Sequence, residues 1–198
     1  MYPDSLKNLI ESFKYLPSVG EKTAERFAFS VFDLDDDQIE LFKESLTDVK
    51  EKVHPCSVCN VLTEDEICSL CSDSNRDSKT LCVVEDVKSV FLFEKLGMFK
   101  GKYHVLNGLI SPLDGINPED IGLDKLIDRI HNEKFDEIIF AFKPSIEGET
   151  TSLYIKKILE DLNIKITKIA NGVPIGADIE YVDSLTLERA LTDRKVVS

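Results

Sequence analysis

Positive charge is scarce in this sequence. Lysine and arginine together number 24 against 37 aspartates and glutamates, a formal net charge of −13. That balance excludes a protein that coats nucleic acid electrostatically, because neutralising phosphates takes clustered cations. Any contact with DNA must be local. Long apolar runs are also missing: none approaches the ~18–20 residues that cross a bilayer. The opening Met1-Tyr2-Pro3-Asp4-Ser5 lacks the basic-then-apolar pattern of a signal peptide, so a cytoplasmic protein is expected. Internal repeats and low-complexity segments are absent, and the 9 glycines and 7 prolines are ordinary. What is present, 42% hydrophobic residues in 198, suffices for one large core or two small lobes.

The acidic excess is uneven. Asp33, Asp35, Asp36, Asp37, Glu40, Glu44, Asp48 and Glu51 are opposed only by Lys43, Lys50 and Lys52. The stretch reads as a solvated helix face, as a repulsive surface that confines DNA elsewhere, or as a dock for a basic partner. Leu6, Leu9, Ile10 and Phe13 have helical spacing, with Asp4 or Ser5 available as an N-cap. Pro17 and Gly20 interrupt the pattern, and Ala24, Phe27, Ala28 and Val31 resume it. In a third helix Ile39, Phe42, Leu46, Val49 and Val53 step by threes and fours behind an acidic N-terminus. Beyond the cysteines the pattern predicts strands at 80–85, 103–106, 137–142 and 164–170. Helices are expected between them, at 87–96, about 123–131 and about 150–162, with a last helix near 184–191. Strands separated by helices imply crossovers and a mainly parallel sheet covered on both faces, an α/β fold.

Between Cys56 and Cys71 apolar periodicity gives way to two C-x2-C knuckles, Cys56/Cys59 and Cys68/Cys71, eight residues apart. Each knuckle turns two sulfurs toward one point, where a zinc ion would lie about 2.3 Å from each, and four thiolates leave no position for a reactive water, so the metal should be structural. With so few apolar residues the segment has little else to hold it together. Two disulfides are the alternative, disfavoured in a reducing cytoplasm, and an iron–sulfur cluster is another, whose usual spacings are not matched. Cys82 lies in an apolar strand and reads as a core thiol. His54, two residues before the first ligand, reads as an outer neighbour of the site or a surface residue more than as a ligand.

Leu16-Pro17-Ser18-Val19-Gly20, between two short helices, resembles a helix-hairpin-helix. Such a turn presents backbone N–H groups, here near Gly20, at a helix N-terminus whose dipole also favours a phosphate. Lys22 and Arg26, at i and i+4, share a face and can hold further phosphates without reading bases. An ordinary helical hairpin with two solvated cations is the plainer alternative. Ser18 stands where the pattern usually has its first glycine, which weakens the element if a positive φ is needed there, and Glu21 and Glu25 keep the expected affinity modest.

Hairpin, four cysteines and alternating α/β lobe, in that order, resemble the RecR family of recombination mediators over essentially the whole chain. Further matches are Asn75-Arg76-Asp77, Val83-Val84-Glu85, Tyr103 to Gly108, Ser111 to Gly115, Ile146 to Thr150 and Gly172 to Tyr181. The resemblance implies a helical helix-hairpin-helix DNA-binding region at 1–53, a four-cysteine zinc finger at 54–78, a Toprim domain at 79–171 and a C-terminal helical oligomerisation segment at 172–198. Catalytic Toprim sites hold Mg²⁺ with a glutamate after the first strand and an Asp-x-Asp pair after a later one. Glu85 fits the first role, but Lys143-Pro144-Ser145 follows the later strand, so no enzyme is expected. The resemblance instead makes Glu85, Glu147 and Glu149 contacts for the partner RecO; for Glu147 and Glu149 the alternative is helix N-terminal charge. The family's Walker-B-like segment, Gly176 to Glu180, has no phosphate-binding G-x4-G-K-[ST] loop to serve, so no ATPase is expected. By resemblance the chain forms a homodimer or ring-like homotetramer and acts near the nucleoid with RecO and RecF. There it helps RecA load on SSB-coated or gapped DNA. The competing readings are a Mg²⁺-dependent Toprim nuclease or primase and an adaptor that binds proteins only.

Overall fold

The computed structural model describes residues 2–194 and Val196. Two compact units, Met1–Val53 and His54–Ser198, make up the chain. In the first, α1 (Asp4–Phe13) and α2 (Glu21–Phe32) form an antiparallel pair joined by the Lys14–Gly20 turn. Ile10, Ala24 and Ala28 are buried at their contact, with Leu6, Leu9, Phe13 and Val19 packed around them. The small side chains of α2 let the helices approach, which is why its apolar stripe contains alanines. Neither Asp4 nor Ser5 caps α1: Pro3 holds the N-cap position, no side chain caps the helix, and Asp4 contributes only first-turn charge. Proline's fixed φ suits a helix entry, and it has no side-chain oxygen with which to cap the amides that follow.

The third helix, α3 (Asp36–Lys52), begins with a capping box in which Asp35 accepts from the Gln38 amide at 2.8 Å and Gln38 Oε1 accepts from the Asp35 amide at 3.1 Å. Such a cap is worth about 1 kcal/mol. Its apolar stripe is not a core stripe: Phe42, Leu46 and Val49 are exposed, and α3 has no buried residue.

The second unit opens with two short strands that periodicity did not reveal, β1 (His54–Pro55) and β2 (Leu62–Thr63), paired antiparallel. A single helical turn, α4 (Ser69–Ser72), follows. A four-stranded sheet then runs β4-β3-β5-β6, every pairing parallel, from β3 (Thr80–Val84), β4 (Lys102–Val105), β5 (Glu137–Ala141) and β6 (Lys165–Lys168). The connecting helices are α5 (Val87–Leu96), α6 (Leu123–Asn132) and α7 (Ile146–Ile158), and α8 (Ser184–Thr192) ends the described fold. Helix α7 starts four residues before the expected position, because the Ser145 side chain accepts from the Gly148 amide and caps it there. Gly148 sits so close to the Lys143 carbonyl that a Cβ would collide with it.

Alternation along β3 assigns the two faces. Leu81 and Val83 enter a core with Leu126 and Ile130 of α6 and Ile155 of α7. Cys82 and Val84 enter a second with Val90 of α5, Tyr103, Val105 and, from before the sheet, Cys56, Cys59, Val61 and Cys68. The cysteine module therefore shares with α5 the covering of one sheet face. Arg76 fastens the segment that joins module to sheet: its guanidinium grips Glu94 of α5 at 2.7 and 2.9 Å, donates to the Gly101 carbonyl at 2.8 Å and lies over the Tyr103 ring. Tyr103 Oη completes the group by donating to Glu94 at 2.8 Å. Arg76→Ala leaves Glu94 partly buried without its cation, and urea unfolding should show a loss of about 3 kcal/mol.

Candidate zinc centre and nucleic-acid interface

The β1–β2 hairpin carries the first knuckle. The Cys56 amide donates to the Val61 carbonyl at 2.8 Å and the Asn60 amide to the Cys56 carbonyl at 3.1 Å, which closes the turn around Cys59. The turn needs a positive φ at Asn60, 63°, a conformation asparagine tolerates better than other non-glycine residues. The second knuckle is the N-terminus of α4, with the Cys71 amide donating to the Cys68 carbonyl at 3.0 Å. Between them the four sulfurs lie within 4.8 Å of one another. Tetrahedral zinc with bonds of ~2.3 Å needs sulfurs ~3.8 Å apart, so the set fits. Backbone amides hold the first sulfur in place: Val58 and Cys68 both donate to Cys56 Sγ, at 3.4 and 3.3 Å. Hydrogen bonds from Cys59 and Cys71 hold the Cys68 thiol well below its usual range, and the bond to Cys68 pushes Cys59 up. Sulfurs this crowded share protons that a divalent cation replaces. His54 is exposed, its ring directed at the neighbouring Pro55 carbonyl, and is not in the cluster. Cys82 is buried in β3, its thiol pushed up to about 12 by burial, the behaviour of a core residue.

In the helical unit Lys22 and Arg26 are both exposed on α2. Gly20 is the N-cap, with extended backbone and no side-chain cap on the helix; the Thr23 amide turns back to the Gly20 carbonyl at 3.1 Å, and no side chain blocks the amides before it. A Cβ at Gly20 would meet nothing within 4 Å, so glycine is not required here by packing. Ser18 has φ 66°, the strained case for a serine. Lys14, unremarked in the sequence, pairs with Glu21 at 2.8 Å and Glu11 at 2.9 Å and so offsets the negative charge at the start of α2.

The three candidate glutamates are not gathered at one point. Glu85, after β3, lines a hollow of about 460 Å³ with Asp86, Asn107, Lys143 and, from the cysteine module, Pro55, Asn60 and Leu62. Its carboxylate accepts from the Lys143 amide at 3.0 Å. Glu149 lines a separate hollow and pairs with Lys168 at 3.1 Å. Glu147 lines neither, and the Ser145 hydroxyl holds its carboxyl below the usual range. Both sit in the first turn of α7, where the helix dipole favours them. Among the described residues the four cysteines are the only group of three or more potential ligands close enough to hold a metal.

Comparison with known proteins places this arrangement. Residues 6–50 match the RecR helix-hairpin-helix model, 53–73 the RecR four-cysteine zinc finger domain, 79–170 the Toprim domain and 172–195 the RecR C-terminal model. Recombination protein RecR of Staphylococcus aureus (strain Newman) is 45% identical over 193 residues, covering 98% of each chain. That of Staphylococcus haemolyticus (strain JCSC1435) is 46% identical over the same length and coverage. The chain belongs to the RecR family.

In this RecR-family chain the zinc-finger match spans all four cysteines, and the site holds one structural zinc. The ion supplies cross-linking alone, since four sulfurs fill its tetrahedron. Spacing revealed the ligands but not the side chains that seat them. Asn60 Nδ2 donates to the Val105 carbonyl at 2.9 Å, Lys125 Nζ donates to Asn60 Oδ1 at 2.6 Å, and Lys102 donates to carbonyls of the second knuckle. No sequence signal marks these long-range partners except the isolated asparagine directly after a C-x2-C. Nearby His104 is fully buried and neutral, its pKa pushed down to about 3 by burial and then by Arg129 and Lys125. Purified protein should contain one zinc per chain by atomic emission, and Cys59→Ser with Cys71→Ser should bring that value close to zero.

Proposed function

We propose that this RecR-family chain is a non-enzymatic recombination mediator. It clamps DNA and acts with RecO and RecF to promote RecA loading on SSB-coated single-stranded or gapped DNA. The observation that carries the DNA assignment is the uncapped N-terminus of α2 with Lys22 and Arg26 exposed beside it. Backbone amides and two cations recognise phosphates, not bases, so binding is independent of sequence. The strained Ser18 and the few cations keep intrinsic affinity modest, and enclosure by an oligomeric ring offsets it.

Exposed apolar side chains support assembly as a homodimer or ring-like homotetramer. Phe42, Leu46 and Val49 on α3 are of this kind, as are Ile175, Ile179, Tyr181 and Leu191 in the 172–198 segment. In this reading the helical region 1–53 faces DNA, the zinc finger 54–78 braces the Toprim domain 79–171, and Glu85, Glu147 and Glu149 contact RecO. The absence of catalysis is supported by Lys143-Pro144-Ser145 after β5, where a cation and no Asp-x-Asp pair adjoins Glu85. No described helix is long and apolar enough to cross a membrane, in keeping with work in the cytoplasm on nucleoid DNA.

Lys22→Ala with Arg26→Ala should weaken DNA binding in fluorescence anisotropy and reduce the salt slope of log K by about 2, with zinc content and assembly unchanged. Unchanged binding would remove α2 as the DNA face. Retention on closed circular but not linearised DNA at raised salt, with RecO present, is the expected mark of a clamp. Equal loss from both forms would leave an adaptor that binds proteins.

A further inference from the structure

The zinc knuckles are gripped from outside by two lysines of the α/β domain. Lys102, in the outer strand β4, donates from Nζ to the carbonyls of Cys71 at 2.9 Å, Asp73 at 2.9 Å and Leu70 at 3.1 Å, around the end of α4. Three carbonyls saturate its three N–H donors. Lys125, in α6, donates to the Cys56 carbonyl at 3.3 Å and to Asn60 Oδ1 at 2.6 Å. Each knuckle is thus tied by one ammonium group to the backbone of one of its own ligand cysteines. Val105 of β4 adds two further links: its amide donates to the Cys59 carbonyl at 2.9 Å, and its carbonyl accepts from Asn60 Nδ2 at 2.9 Å.

Charge points to the same two residues. Zinc with four thiolates carries 2 − 4 = −2, and Cys56, Cys59 and Cys68 are at most 3% exposed. A buried dianion is unfavourable unless opposite charge and hydrogen bonds surround it. Lys102 and Lys125 bring +2 and are half-buried against the module. Arg129, the third cation nearby, favours the ionised Cys71 by its charge, while its hydrogen bonds go elsewhere, to Glu133 at 2.9 Å and the Tyr103 carbonyl at 2.6 Å.

We propose that Lys102 and Lys125 are positioning residues for the zinc ion, holding the two knuckles in register and supplying the counter-charge of the tetrathiolate. Metal retention is then a property of the α/β domain and not of the cysteine segment alone. The inference rests on the zinc assignment, and partners behind the ligands of a metal commonly change affinity by about 10- to 100-fold.

The test is zinc release from the full-length protein into an excess of the chromogenic chelator 4-(2-pyridylazo)resorcinol. Lys102→Met and Lys125→Met keep the apolar stem and remove charge and donors, so each should release zinc at least about tenfold faster than wild type. Lys88→Met, at an exposed position of α5, should release at the wild-type rate. A methionine variant that is purified with one zinc and releases it as slowly as wild type overturns the proposal. Where a methionine variant is purified without zinc, the Lys→Arg variant decides: recovered zinc supports a role for charge and donors, and a chain equally devoid of metal rejects it. Wild-type protein purified without zinc would overturn the metal assignment beneath the proposal, an outcome distinct from slow release by the variants.

Discussion

A parallel sheet has to be covered on both faces, and in this protein part of one cover is a metal-linked module instead of a helix. Helices α6 and α7 fill one side with leucine, isoleucine and phenylalanine. On the other, α5 shares the task with cysteines and a valine from a segment too poor in apolar residues to fold by burial alone. Zinc supplies cohesion there, and the sheet in return supplies a surface, so neither is finished without the other. The Arg76–Glu94–Tyr103 group, which ties the connecting segment back to α5 and β4, extends the same mutual dependence.

The position of the module also shapes the hollow at the ends of β3 and β4. Pro55, Asn60 and Leu62 form one wall of it, opposite Glu85, Asp86 and Lys143. The amide of Lys143 donates to one oxygen of Glu85 at 3.0 Å, which fixes the carboxylate at the edge of the hollow. In a chain with net charge −13, cations are few enough for their placement to carry information. Lys22 and Arg26 face solvent at a helix start, whereas Lys102 and Lys125 turn inward to the knuckles.

Local physics made much of this legible. Two C-x2-C knuckles state a tetrahedral site in sixteen residues, and the alternating segments state a parallel sheet, because both patterns depend on near neighbours. Helix α5 lies at the expected residues for the same reason. The start of α7 was hidden because Pro144 and Gly148 dilute the helical pattern, and only the Ser145 cap marks its entry. Period marked an apolar stripe on α3, but period cannot say what covers a stripe, and Phe42, Leu46 and Val49 are exposed. The candidate glutamates share a role by resemblance yet lie in different surroundings, since Glu85 and Glu149 line separate hollows. Asn60, Lys102 and Lys125 were invisible as supports of the metal, because their partners stand tens of residues away in sequence.

The pairing of the Val105 amide with the Cys59 carbonyl has a consequence at the margin of the sheet. An outer strand offers unpaired backbone groups to any other extended chain, and proteins guard such margins against runaway pairing. The β6 margin carries Lys165 and Lys168, each held by a glutamate, Glu137 at 3.2 Å and Glu149 at 3.1 Å. The β4 margin is guarded by the zinc knuckles themselves, which occupy Val105 from both its amide and its carbonyl. A module cross-linked by a metal that never touches the strand thus covers the outer edge of β4 where the strand ends, at Val105.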